Sequence, residues 1–412
     1  MMIKKDVIII GGGAAGLAAA TACRRLGIED LLIIERETTL GGILKQCIHD
    51  GFGLIKFKQS YTGPEYAQKY IDQVEELKIP YLLDSMVIDL SADRVLTVAN
   101  KEGLHKFQTR AVILAMGCRE RTRGALSIPG NRPAGIYTAG VAQNLINIHN
   151  YMIGKEIVIL GSGDIGLIMA RRLTLEGAKV KMVLEILPYG SGLPRNFNQC
   201  LFDYDIPLYL RHTVVNIKGD KRLQSVTIAE VDEQGRALPQ TLKEIPCDTL
   251  LLSVGLIPEN ELSQLAGITL DPVTGGAMVD EFGQTNIPGI FTCGNALQVH
   301  DIVDNVSLEG EQIASGVAKY LSIGLSKKID LSVQAGEGIR YVLPQRLHYL
   351  EDTIFSFRVQ RPGHHQTLVF KTNQHLIKKK TFLQVNPAEM IRIKLSAQEL
   401  AGLSNLKVEL EL

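Results

Sequence analysis

The sequence predicts an α/β fold: two three-layer βαβ domains, the second inserted in the first, plus a small C-terminal β-domain. Three observations carry this. Two glycine-rich fingerprints, Gly11-Gly12-Gly13-Ala14-Ala15-Gly16 and Gly161-Ser162-Gly163-Asp164-Ile165-Gly166, share one spacing. Each follows a short apolar run, residues 7–10 and 157–160, of the kind expected of a strand covered on both faces. Each leads through a helix-like stretch to a second apolar run, 31–34 and 180–184, that ends in an acid. Nineteen residues separate Gly16 from Glu35, and nineteen separate Gly166 from Glu185.

The chemistry of each unit follows from its residue types. The first glycine allows a tight strand-to-helix turn, the second lets the backbone approach a pyrophosphate, and the third lets helix and strand lie close. The amides at the helix start then face the phosphates. The acid accepts hydrogen bonds from an adenosine ribose. A lone glycine-rich turn is weak evidence, but strand, helix, second strand and acid together make two Rossmann-like units. Two bound dinucleotides in one chain imply electron transfer between them.

Composition bounds the alternatives. The 412 residues suffice for two or three domains. Lys+Arg and Asp+Glu are equal at 44 each, which gives no bias towards nucleic acid or a membrane surface. The N-terminal apolar run meets Gly11 directly and reads as a strand rather than a signal sequence. No apolar stretch approaches the ~20 residues of a membrane span. The six cysteines, Cys23, Cys47, Cys118, Cys200, Cys247 and Cys293, show neither a C-x-x-C nor zinc spacing, so no metal is expected and a reducing, cytoplasmic setting is.

Three further segments extend the pattern. Residues 111–117 read as a buried strand ending in a small-residue turn at Gly117. Residues 247–255, ending at Gly255, are a second of this kind, and residues 287–295 a third. In this reading the first unit breaks off after Gly117, the second is inserted, and the first sheet resumes near Cys247. The expected ranges are 1–118 and 246–325 for the first domain, 119–245 for the second and 326–412 for the last. That last part alternates over 354–359, 367–371, 390–395 and 406–412, with turn residues between, as in a small antiparallel β-domain. Lys378-Lys379-Lys380 within it reads as a solvated edge.

The order of these five motifs resembles the pyridine nucleotide-disulfide oxidoreductase superfamily over residues 1–325. The resemblance implies FAD in the first unit and a nicotinamide nucleotide, NAD, in the second. The stretch Thr292-Cys293-Gly294-Asn295 looks like the family's second FAD motif, with Asn295 where the family has an acid. Gly41-Gly42-Ile43-Leu44-Lys45-Gln46-Cys47-Ile48-His49, Gly117 to Arg123 and Gly161 to Arg172 are similar to a narrower group. It contains the flavoprotein subunit beside anaerobic glycerol-3-phosphate dehydrogenases and the subunits of opine oxidase, amino-acid dehydrogenase and hydrogen cyanide synthase. Members work in heteromeric complexes, which implies a dehydrogenase partner subunit of the glycerol-3-phosphate or amino-acid type. The family's C-terminal catalytic histidine has no counterpart after residue 326.

The cofactor-contacting set expected from these motifs is Gly11, Gly13, Ala14, Ala15, Gly16, Glu35, Arg36, Gly42, Ala115 and Gly117 in the first unit. In the second it is Gly161, Gly163, Asp164, Ile165, Gly166, Glu185 and Gly255, and at the second FAD motif Gly294, Asn295 and His300. Two candidates carry chemistry. Cys47 lacks a second cysteine at the five-residue spacing of the disulfide reductases, so it is either a lone peroxide-reactive thiol or a packed cysteine. His300 either donates to the flavin or shuttles a proton, or is a histidine bonded to backbone. Glu185 favours NAD over NADP, because a 2′-phosphate would meet a carboxylate. Asp164, inside the loop, either sits near the pyrophosphate or caps the helix start. Arg119, Arg121 and Arg123 are open to phosphates, to a partner's carboxylates or to solvent.

Overall fold

The computed structural model describes residues 2–325, 328–373 and 375–411. The chain forms two compact units. One holds the residues up to Cys118 and from Pro258 onward, the other Arg119–Ile257.

In the first unit the apolar runs become the strands Met2–Ile10 and Leu31–Ile34, joined by the helix Ala14–Arg25. A parallel sheet runs Tyr81–Leu82, Leu31–Ile34, Met2–Ile10, Gly103–Leu114, with Ile290–Thr292 parallel on the far side. Val7 and Ile9 pack under the helices, while Ile8 and Ile10 face a core shared with the antiparallel strands Met86–Leu90 and Val95–Asn100. Both faces are covered, which is why the run is apolar without alternation. Gly103–Leu114 changes partner along its length. Its start pairs antiparallel with Val95–Asn100, and its last three residues pair parallel with Ile290–Thr292. The long helix Val303–Ile323 lies against Ala14–Arg25 at Gly310, where an added Cβ would come within 2.4 Å of the Ala15 carbonyl oxygen.

The second unit repeats the plan. Its sheet runs Leu208–Leu210, Lys179–Glu185, Glu156–Leu160, Thr249–Leu252, Ile136–Thr138, parallel throughout. The helix Asp164–Leu175 covers one face, and the antiparallel strands His212–Gly219, Leu223–Glu230 and Lys243–Pro246 cover the other. The predicted α/β class with Rossmann-like layering is the one observed.

One expected boundary requires correction. Thr249–Leu252 was expected to resume the first sheet, with a boundary at 245/246. It pairs instead with Glu156–Leu160 inside the second unit, and the chain returns to the first unit at Pro258. Two buried parallel strands look alike locally; which sheet each joins is decided by long-range pairing. The expected start of the last domain, residue 326, lies outside the described residues, as do residues 1 and 412.

Among the described residues the C-terminal segment has strands and one short helix, Ala397–Leu400. One sheet runs Arg346–Leu347, Leu331–Ala335, Asn405–Glu411, Gly363–Lys371, Leu376–Val385; another joins Ile339–Leu343, Thr353–Val359 and Ile391–Leu395. It is not wholly antiparallel as expected, because Leu331–Ala335 and Asn405–Glu411 pair in parallel. Phe355, Phe357, Phe370 and Val408 fill its own core. The segment also lends Tyr349 to one core of the first unit, and Tyr341 and Leu343 to the other, which is why it clusters with that unit. Lys378 to Lys380 do lie on an edge strand, where Lys378 meets Glu399 and Lys379 meets Glu411.

Candidate functional site

The first glycine loop is shaped by close approaches that only glycine permits. Gly11 has φ +107, and a Cβ there would stand 2.4 Å from the Ala115 oxygen; at Gly16 it would stand 1.9 Å from the Gly11 oxygen. At Gly13 an added Cβ would meet nothing within 4 Å, so this side of the loop is open. The helix that begins at Ala14 has no side-chain cap, leaving its first amides to an anion. Glu35 is buried beside the loop. It accepts from the Gly12 amide at 2.6 Å and from the Glu37 amide at 2.9 Å, which leaves half of a carboxylate's acceptor capacity. The chain after Glu35 returns to the loop: the Gly41 amide donates to the Gly12 oxygen at 2.9 Å, and Gly42 lies against Gly13. Arg36 is half-exposed and pairs with Glu259 at 3.2 Å. Gly117, with φ +76, accepts from the Glu259 amide.

The second loop has the same construction with different atoms. A Cβ on Gly161 would lie 2.0 Å from the Ser253 oxygen, and one on Gly166 would lie 2.6 Å from Ser253 Cβ. Ser253 therefore closes this loop from below as Ala115 closes the first, and its Oγ also accepts from the Gly166 amide at 3.0 Å. Glu185 is buried and accepts from the Ser162 amide at 3.1 Å, Ser162 Oγ at 2.5 Å, Ser191 Oγ at 2.8 Å and the Leu187 amide at 3.0 Å. Asp164, followed by Ile165, is the first helical residue. Its Oδ1 accepts from the Leu193 amide and Asn196 Nδ2, which ties the segment after Glu185 to the loop. Gly163 stands at the uncapped helix start. Gly255, with φ +100, accepts from the Arg121 amide within this unit. Arg123 holds a turn through the carbonyls of Ile128 and Gly130, so it is not open to a ligand's phosphates.

The third motif meets the first. Gly294 has φ +65, and its Cβ would stand 2.7 Å from Ala15 Cβ. Asn295 Oδ1 accepts from the His300 amide at 3.0 Å, and its Nδ2 lies 3.5 Å from Cys118 Sγ. The His300 side chain is 2% exposed, with Nε2 3.4 Å from Glu309 Oε1. Glu309 also accepts from the Gly294 amide at 2.6 Å and Gln298 Nε2 at 2.8 Å. Burial raises the Glu309 pKa, but His300 and the hydrogen bonds from His300, Gln298 and Gly294 outweigh it and hold the carboxyl below its usual range. Asp304, in the first turn of the long helix, accepts from the amides of Gly53 and Lys56.

Cys47 donates to the Ile43 oxygen at 3.4 Å, and burial pushes its thiol up to about 12. It stands as a thiol at neutral pH, which favours packing over nucleophilic use. None of the six cysteines forms a disulfide. Among the described residues no cluster of three or more His, Cys, Asp or Glu side chains is placed to hold a metal ion, and no helix is long and apolar enough to cross a membrane.

Sequence reasoning missed Ser253, Ser191 and Glu309. A signal for Ser253 was present: Leu114-Ala115-Met116-Gly117 and Leu252-Ser253-Val254-Gly255 share one pattern of small residue and glycine. Ser191 and Glu309 act across loops or helix turns and have no local signature.

Comparison with known proteins agrees with this geometry. Over 285 residues the chain is 27% identical to hydrogen cyanide synthase subunit HcnB of Pseudomonas aeruginosa, covering 63% of this chain and 59% of the relative. Over 317 residues it is 25% identical to an opine oxidase subunit of Agrobacterium tumefaciens, covering 70% and 61%. The chain thus matches only part of the length of these relatives. Thioredoxin reductase of T. acidophilum has the same fold, with a TM-score of 0.64 at 22% identity over 77% of this chain and 98% of that one. Residues 5–314 match the family model for pyridine nucleotide-disulphide oxidoreductases. With both glycine loops, their buried acids and the third motif inside that span, the chain belongs to the pyridine nucleotide-disulphide oxidoreductase family.

Proposed function

We propose that the chain is an FAD-dependent oxidoreductase that exchanges electrons between NAD(H) and FAD and passes them to a partner dehydrogenase subunit or a small acceptor. The observation that carries this is the pairing of each glycine loop with its own buried acid, Gly12 with Glu35 and Ser162 with Glu185.

The residues present fit both cofactors. In the first unit the open face at Gly13 and the uncapped helix start suit a pyrophosphate, and Glu35 keeps acceptor capacity for a ribose diol. Ala115, Gly117, Gly294 and Asn295 would lie along the remainder of FAD. In the second unit the uncapped start at Gly163 and the acid Glu185 suit NAD, and the same acid repels a 2′-phosphate. Bound flavin supplies hydride acceptance and electron storage. The protein binds and orients: the loops would hold the phosphates, Glu35 would accept from a ribose, and the buried His300 imidazole would stand beside the flavin.

Two features support a protein partner. The two relatives named above are both subunits by name. The dithiol that would discharge electrons is lacking, since no cysteine stands within five residues of Cys47. The partner class favoured is a glycerol-3-phosphate or amino-acid dehydrogenase. The absence of disulfides supports a reducing compartment. Anaerobic mixing with NADH should bleach the flavin band, and affinity purification from the native source should bring down a dehydrogenase. If the folded protein binds FAD but is bleached by neither NADH nor NADPH, a structural or regulatory nucleotide-binding role is favoured instead.

A further inference from the structure

Behind the third motif lies a buried acid–imidazole pair that nucleotide binding does not explain. Glu309 is 9% exposed and the His300 side chain 2%. Three buried atoms nearby have no protein hydrogen-bond partner: His300 Nδ1, Gln298 Oε1 and Asp280 Oδ2. Native interiors leave few such atoms. Gln298, Asp280, Glu281 and Glu309 line one part-open cavity of ≈ 40 Å³ between the long helix and the C-terminal strands. Its volume suits about two or three water molecules, and its walls offer the polar partners that water needs. Asp280 Oδ2 also stands 3.5 Å from His348 Nδ1, and the His348 side chain is 24% exposed. Glu281 accepts from the amides of His348 and Tyr349.

Glu309 and Asp280 thus share one pocket, and each is joined to a histidine: Glu309 to the buried His300 and Asp280, with Glu281 beside it, to the part-exposed His348. We propose that this arrangement is a proton path connecting the buried His300 imidazole with solvent. A proton taken up at His348 passes to the neighbouring Asp280 and Glu281 carboxyls, crosses the cavity through water to Glu309, and passes from Glu309 to the His300 ring. Solvent reprotonates His348, so one proton enters for each delivered and no electrons move. The use of the path rests on the flavin reading above, in which His300 stands beside the cofactor; the path itself does not.

Three other ionisable groups face it. Arg392 lines the cavity and donates to Asn305 Oδ1 at 3.1 Å. The Cys293 thiol is pushed well above its usual range by burial, and the Tyr349 hydroxyl is also raised by burial, so neither exchanges protons near neutrality. Glu281 does: burial pushes its carboxyl up to about 7, against the amides of His348, Glu281 and Tyr349 that pull it down. A purely structural role for the pair would need only its hydrogen bond to the Gly294 turn. It would require neither a polar cavity nor a titrating acid in that cavity's lining.

The test follows the exchange of the His300 ring N–H with water by NMR in the full-length chain, with the flavin it carries and ¹⁵N-labelled histidine. The resonance is assigned by its loss in His300→Gln. Glu281→Gln keeps the shape and removes the titration; Ser356→Val crowds the cavity wall without changing any charge. Both should slow exchange tenfold or more with unchanged flavin content, at a pH where each variant's melting curve shows it folded. Glu309→Gln should do the same, and if that variant does not fold the other two decide. Unchanged exchange in Glu281→Gln and Ser356→Val overturns the path, as does a wild-type His300 that exchanges no faster than a sealed core group. Failure of the flavin reading shows separately, as a colourless chain or one not bleached by NADH, and leaves the exchange rates interpretable.

Discussion

The Gly12 amide donates to Glu35 Oε2 at 2.6 Å, so the acid suited to a ribose also fixes the loop suited to the phosphates. The Ser162 amide and Glu185 repeat the relationship at 3.1 Å. Loop and acid are thus one rigid element in each unit, and a change in one is felt by the other.

Glu35→Ala should release FAD and lower stability together. It removes hydrogen bonds to a charged acceptor, each worth about 1.5–3 kcal/mol, and leaves the buried Gly12 amide unpaired. Glu35→Gln should retain part of both. The flavin-to-protein absorbance ratio after gel filtration and the melting temperature report the two effects. A fully yellow Glu35→Ala protein with wild-type stability would contradict the coupling.

Gly166→Ala should separate the two sites. The new Cβ would meet Ser253 Cβ at 2.6 Å and Oγ at 2.8 Å, which forces the second loop to shift. NADH affinity should fall tenfold or more, about 1.4 kcal/mol, while flavin content stays near one per chain. Loss of flavin in this variant would show that the second loop is not the nicotinamide site.

NADH should bleach the flavin much faster than NADPH in anaerobic stopped flow, and Glu185→Gln should narrow the ratio. Because Glu185 also receives Ser162 Oγ and Ser191 Oγ, the same variant should weaken NADH binding as well. Equal rates with both nucleotides in the wild type would remove the charge argument.

Much of this was legible in the sequence because the Rossmann-like signal is local. Glycines 11, 13 and 16, the helix and Glu35 lie within one short span, as do their counterparts from Gly161 to Glu185. What was not legible depends on distant pairing. Thr249–Leu252 carries no mark of the sheet it joins, so the domain boundary was placed too early. Ser253 acts across the sheet on Gly161 and Gly166. The last segment's strands were visible as alternation, but its parallel pair and its share in the first unit's cores were not. Asp164 was read as near the pyrophosphate or capping the helix; its partners Leu193 and Asn196 are set by a loop with no periodic signal.

Cys47→Ser should leave NADH-driven flavin reduction intact. The thiol is held protonated, and no partner cysteine stands at redox spacing. Dithionite titration should take up two electrons per FAD in both proteins. Uptake of four by the wild type would show a dithiol in addition to the flavin.

Glu281 should contribute a loss of stability as pH rises between about 4.5 and about 7. Its carboxyl is raised from 4.5 to about 7 by burial, so over this window the folded chain binds more protons than the unfolded one. The stabilisation from this group is complete below the unfolded value and is lost as pH passes through the folded one. Glu281→Gln should flatten the profile by an amount on the order of a few kcal/mol, read from denaturant melts at pH 4.5 and 8. An unchanged pH profile would contradict the raised carboxyl.

The strand Gly103–Leu114 waits for its last partner. Ile290–Thr292 pairs with its end only after the whole of the inserted unit has left the ribosome, and the cores around it are closed by Tyr341, Leu343 and Tyr349 later still. During synthesis the inserted unit, whose residues are contiguous, can collapse first, while the nascent N-terminal sheet carries an open hydrogen-bonding edge at its centre. That exposed ladder is the part of this chain most in need of a chaperone, and any truncation before Ile290 would make the need permanent.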